Sequence, residues 1–157
     1  MPENDARLAL VHSWLSKDLG IRPERIEPAS SDASFRRYFR AFRNGETFVI
    51  MDAPPGKEDV RPYVKVTGLL ESLGVHVPHI LEADAINGLL RIEDLGVTQY
   101  LQRLNAGDDP DRLYGDALFT LAEIQTRGGD AARQLPAYDR ELLARELGLM
   151  PDWFTQR

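Results

Sequence analysis

Two Asn-Gly pairs, Asn44-Gly45 and Asn87-Gly88, each stand between short apolar segments, and they constrain the fold of this chain more than any other feature. Both residue types accept the positive φ that tight hairpin turns demand, so each pair predicts two antiparallel strands joined closely. Around the first pair, FRRYFRAF at 35 to 42 and Thr47-Phe48-Val49-Ile50-Met51 are rich in strand-forming aromatic and β-branched residues. Around the second, Ile80-Leu81-Glu82-Ala83 and Leu89-Leu90-Arg91-Ile92 read the same way. A short extended segment from Arg25 to Pro28, followed by the polar stretch SSDAS at 30 to 34, makes the first three strands a meander. Ala53-Pro54-Pro55-Gly56 then breaks the chain, and Val60, Val64, Leu69 and Leu70 recur at helical spacing until Gly74. The expected order is three strands, one helix and two strands.

Helices flank this block. Leu8, Val11, Leu15 and Leu19 predict an opening amphipathic helix over residues 5 to 19, capped by Gly20. Beyond Gly96 the pattern is wholly helical. Thr98 caps a short helix to Leu104, and Asp109-Pro110 starts a longer one carrying Leu113, Leu118, Leu121 and Ile124 that ends at Gly128-Gly129. A further helix from Asp139 to Leu149 is stopped by Pro151. The composition change near Gly96 divides the chain into expected units of 1–96 and 97–157, in an α+β fold.

Several function classes are disfavoured. The 157 residues suffice for one real core, and 43% hydrophobic with 28% charged residues is ordinary globular usage. There is no run of 18 apolar residues, and MPENDARLAL resembles neither a span nor a secretion signal, so a cytoplasmic protein without membrane contact is expected. The absence of cysteine excludes disulfides and thiolate chemistry, and His12, His76 and His79 do not form a zinc set by spacing. A net charge of −6 argues against a broad nucleic-acid surface.

Four stretches taken together carry a resemblance: SSDASFRRYFR at 30 to 40, FVIMDAPPGKEDVRPY at 48 to 63, VHVPHI at 75 to 80 and LLRIEDLG at 89 to 96. They resemble the aminoglycoside phosphotransferase-like kinase superfamily, and most its branch of bacterial sugar kinases acting on N-acetylmuramate and N-acetylglucosamine. The resemblance implies a protein-kinase-like N-lobe, a five-stranded antiparallel sheet with an inserted helix, followed by the first helices of a truncated helical C-lobe. It implies ATP as cofactor, Mg²⁺ in a complete kinase, and a small-molecule acceptor held by the lobe that is missing.

Site residues follow from the same motifs. Ser30, Ser31, Asp32, Ala33 and Ser34 offer small side chains, hydroxyls and backbone N–H groups suited to phosphate oxygens; the residues alone favour an ordinary hairpin loop, and the resemblance implies the phosphate role. Arg36, Arg37 and Arg40 alternate in facing, so one or two turn towards a triphosphate; Arg37 is the residue assigned. The resemblance makes Glu93-Asp94-Leu95-Gly96 a hinge whose Glu93 and Leu95 backbone groups pair with adenine, with Ile50 sandwiching its ring; a plain connector is the alternative.

Departures limit what the chain is expected to do. Phe48-Val49-Ile50-Met51-Asp52 lacks the lysine that kinases place on the third strand, so an arginine from 36 to 40 or Lys57 supplies the charge, or the phosphates are held differently. Glu58 reads either as a partner glutamate or as a helix N-terminal acid. No histidine follows His79 and no asparagine follows Asn105, so the His-x-Asp catalytic loop, its asparagine and the metal-binding aspartate are not here. On this reading the chain alone is inactive, binds nucleotide weakly or not at all, and self-associates through apolar helix faces that a missing lobe would cover. The alternative is a non-catalytic kinase-like binding or interaction module.

Overall fold

The structure, a computed structural model, describes residues 5–31 and 34–153. Its centre is one five-stranded antiparallel sheet in the order β1-β2-β3-β5-β4, with β1 Arg25–Ser31, β2 Arg37–Arg43, β3 Glu46–Asp52, β4 Ile80–Asp84 and β5 Leu89–Glu93. This bears out the α+β class and the expected succession of three strands, a helix and two strands. β1 runs three residues further than the sequence suggested, through a register shift between Pro28 and Ser30. Asn44 and Gly45 take φ of 53° and 81°, so the first hairpin turns on the residues its composition indicated. That turn fixes the register that opposes Arg37 to Asp52 at the far end of the ribbon.

The sheet is covered on both faces, and alternation along each strand sorts side chains between them. On one face lie Phe39, Ala41, Phe48, Ile50 and Leu89, packed against Val11, Trp14 and Leu15 of the opening helix, α1 Ala6–Ser13 and its continuation to Asp18. On the other lie Tyr38, Val49, Met51, Leu90 and Ile92, packed with Val60, Tyr63 and Val64 from the start of the inserted helix α2 Arg61–Ser72. Because both faces are dry, β3 is buried continuously from Phe48 to Asp52.

Three helical features differ from expectation. The second half of the opening helix, Trp14–Asp18, is a π-turn in which the Leu19 N–H donates to the Trp14 carbonyl at 3.1 Å. That wider turn lets Trp14 and Leu15 both reach the core. In the last helix, Pro151 does not stop the chain, and α6 Arg140–Trp153 carries the proline inside it. Its ring removes one backbone donor close to the helix end, where little remains to be lost. Between them come α3 Tyr100–Asn105, α4 Pro110–Arg127 and the single turn α5 Gly129–Ala132. Asp109 caps α4, accepting from the Asp111 N–H at 3.0 Å, whereas α3 is capped by a Gln99/Gln102 box rather than by Thr98. Leu118, Phe119 and Leu121 on α4 and Leu147 and Met150 on α6 are exposed, while Ile124 turns towards Leu69, Leu70 and Leu73 of α2.

Candidate functional site

Beneath the α2 face of the sheet a cleft of about 360 Å³ opens beside the segment that follows β5. Its roof is Ala29 and Ser30 of β1, Tyr38 and Arg40 of β2, Val49 of β3 and Ile92 of β5. Glu93 to Gln99 form its rim, with Pro78 at the back. The volume lies within the range of small-molecule sites, and the wall combines apolar side chains with a few polar groups, as such sites do.

The rim is held in place by a buried ion pair. The Arg40 guanidinium donates to both oxygens of Asp94, from Nε at 2.6 Å and from Nη2 at 2.9 Å, and to the Gly96 carbonyl at 3.0 Å. Asp94 also accepts from the Gly96 N–H at 2.9 Å and is bonded by the Thr47 side chain. The Arg40 guanidinium, with Thr47 and Gly96 adding to it against the cost of burial, holds the Asp94 carboxyl down at about 2, below its ordinary 3.8. A bidentate arginine pair of this kind fixes direction as well as distance. The rim backbone is therefore locked to β2 before any ligand arrives.

Each residue assigned from the sequence can now be located. Ser30 lines the cleft roof, and Glu93 and Leu95 lie on the rim. The Glu93 N–H is committed to the His79 carbonyl at 2.8 Å, so the carbonyl is the backbone group it offers a ligand. Ser31 ends β1 opposite Arg37, and Ser34 accepts from the Arg36 backbone N–H at 3.2 Å and from its Nε at 3.1 Å. Asp32 and Ala33 lie outside the described residues.

Two of the assigned residues lie on the other face of the sheet, as the alternation of the strands requires. Ile50 is fully buried on the α1 face, and the cleft position on β3 belongs to its neighbour Val49. Arg37 also points to the α1 face, donating to Asp52 from Nε at 3.1 Å and from Nη2 at 2.6 Å. Arg36 and Arg40 take the cleft side instead. Arg36 lines an adjoining cavity with Tyr63, Glu58 and Asp59, which shares Pro78 with the cleft. Met51, on the same face two residues beyond Val49, is fully buried among apolar neighbours, so β3 contributes no cation. Lys57 sits 5.2 Å over the Phe35 ring, and Glu58 precedes α2 and accepts from the Phe35 N–H at 3.2 Å.

The model of the phosphotransferase enzyme family matches residues 25–156, which includes every strand of the sheet and the whole cleft. The chain belongs to that family. Among curated relatives, an N-acetylmuramate/N-acetylglucosamine kinase of Pseudomonas aeruginosa is 46% identical over 164 aligned positions, covering 98% of this chain and 48% of that protein. The protein of the same name from Pseudomonas putida is 44% identical, covering 100% of this chain and 48% of its own length. That of Neisseria meningitidis is 40% identical over 94% of this chain and 44% of its own. The phosphotransferase-family chain thus spans about half the length of these relatives. The sugar-kinase branch that its motifs resembled is the one their names carry.

Proposed function

We propose that this chain forms the adenine-nucleotide-binding half of a small-molecule phosphotransferase whose acceptor is an amino sugar of the kind named in its relatives. Residues 1–96 hold the nucleotide and 97–157 begin the helical lobe. The observation that carries the reading is the rim at Glu93 to Gly96, locked by Arg40 and Asp94 alongside an apolar roof of Ala29, Val49 and Ile92. A flat base fits between such a roof and a rim of fixed backbone groups. From Arg40 back along β2 to Arg36, just ahead of the strand, the chain covers about 13 Å at ~3.3 Å per residue, a span that suits base at one end and phosphate at the other.

In this arrangement Arg36, steadied by Ser34, is the phosphate cation that β3 does not provide. Arginine holds phosphate oxygens bidentately, so it serves without the strand lysine. Mg²⁺ would enter with the phosphates and the carboxylates of a complete kinase.

Titration with ATP and with adenosine, followed by NMR, tests the reading. Both ligands should bind in the cleft, and Arg36→Ala should weaken ATP about tenfold, the value of roughly one charged contact, while leaving adenosine unchanged. Failure of both ligands to bind at millimolar concentration would refute the site. An equal loss for both would refute the role of Arg36.

A further inference from the structure

At the end of the sheet away from the rim, a second cluster of charges joins four segments that are distant in sequence. Asp52, the last residue of β3, is fully buried and accepts from two arginines. One is Arg37 of β2. The other is Arg7 of α1, whose Nε donates to Asp52 Oδ1 at 2.8 Å and whose Nη2 reaches the same oxygen and, at 2.8 Å, the Asn87 carbonyl in the β4–β5 turn. Asp5, which caps α1 by accepting from the Leu8 N–H at 3.1 Å, also binds Arg37 through both of its oxygens. The arginine in turn holds the Asp5 carboxyl below its ordinary range. The first two residues of the α1 region that carry charge therefore tie the entry of β2, the exit of β3 and the β4–β5 turn together.

A buried ion cluster is a poor way to add stability, because desolvation offsets most of the attraction. What it does supply is direction. Arg37 is drawn to the α1 face by Asp52 and Asp5, and the residue just ahead of the strand points the other way, into the cavity beside the cleft. Arg36 is that residue. The chain just ahead is braced from the opposite side, where the Phe35 N–H donates to Glu58 beyond the β3 exit at 3.2 Å. Moving the β3 exit would displace both supports.

We propose that Arg7, acting with Asp5 through Asp52 and Arg37, is a positioning residue for the phosphate side of the site. The helix it belongs to touches the sheet face opposite the cleft, so it acts by orienting the Ser34–Arg36 segment and not by touching nucleotide. This inference rests on the proposed nucleotide site, and its test separates the two.

The ratio of ATP to adenosine affinity is the quantity to read, in the wild-type chain, Arg7→Ala, Arg7→Lys and Asp5→Asn. Asparagine caps a helix as well as aspartate does, so Asp5→Asn removes the carboxylate charge that faces Arg37 without removing the cap. Arg7→Ala should lower ATP affinity five- to tenfold with adenosine unchanged, Asp5→Asn should do the same to a smaller degree, and Arg7→Lys should restore part of the loss. Equal losses for both ligands would reduce the cluster to a structural role and overturn the proposal. Binding of neither ligand by the wild-type chain would instead remove the nucleotide site itself. A readout without ligand runs beside it: backbone amide exchange at Phe35 and Arg36 should accelerate at least tenfold in Arg7→Ala, while Gly96 on the rim keeps its wild-type rate. Unchanged exchange at Phe35 and Arg36 would contradict the proposal whatever the ligands do.

Discussion

Replacing Asp94 with asparagine should remove the lock on the rim while keeping its shape. The carboxylate is 3% exposed and receives two bonds from Arg40 and one from the Gly96 N–H. Asparagine preserves one acceptor oxygen and loses the charge. Holding the carboxyl at about 2 instead of 3.8 is a preference for the ionised form in the folded state. Such a difference corresponds to about 2 kcal/mol of stability at neutral pH. Because the folded value is the lower one, that contribution is complete above the unfolded value near 3.8 and is lost as pH falls through about 2. Urea unfolding of wild type and Asp94→Asn should therefore differ by about 2 kcal/mol at pH 7 and converge between pH 4 and pH 2. In thermal unfolding the neutral-pH gap becomes about 4 to 8 °C for a domain of this size. A gap under about 0.5 kcal/mol at pH 7, or one that persists unchanged at pH 2, would refute the reasoning, because it would mean the pair contributes no more than an exposed surface bridge.

Gly88 has φ of +69°, and an added Cβ would lie 1.9 Å from the Ala53 carbonyl oxygen, so Gly88→Ala should cost at least about 2 kcal/mol in denaturant unfolding. Ile50→Ala should cost about 2 to 5 kcal/mol of stability and leave the affinity of folded protein for adenosine untouched. Val49→Phe should do the reverse, filling the cleft and abolishing adenosine binding with a smaller effect on unfolding. The exposed Leu118 and Leu121 of α4 should drive concentration-dependent association in sedimentation velocity, and Leu118→Lys with Leu121→Lys should reduce it.

The succession of strands was legible because the Asn44-Gly45 turn, the Gly88 turn and breaks such as Ala53-Pro54-Pro55-Gly56 are local signals that tertiary packing did not override, although the second turn takes the four residues 85–88 and only Gly88 of its Asn-Gly pair has positive φ. Which way the side chains face was harder to read. On β3 every residue from Phe48 to Asp52 is buried, since α1 and α2 cover opposite faces, so an apolar run gives no phase and Ile50 could be exchanged for Val49. The phase of Arg36 and Arg37 was recoverable in principle. Counting back from the Asn44-Gly45 turn pairs Arg37 with Asp52, and a buried acid opposite an arginine settles which face that arginine takes. Arg40 and Asp94 are 54 positions apart, and nothing local announces their pairing. The same holds for Arg7 and Asp52, 45 positions apart, whose meeting depends on α1 crossing the back of the sheet.

The most direct test of the nucleotide cleft is a map of amide chemical-shift changes on adding adenosine to the ¹⁵N-labelled chain. The account predicts changes concentrated at Ser30, Tyr38, Val49 and the rim from Glu93 to Gln99, with none at Val11 or Leu15 behind the sheet. Shifts confined to α4 and α6, or spread evenly over the surface, would contradict it.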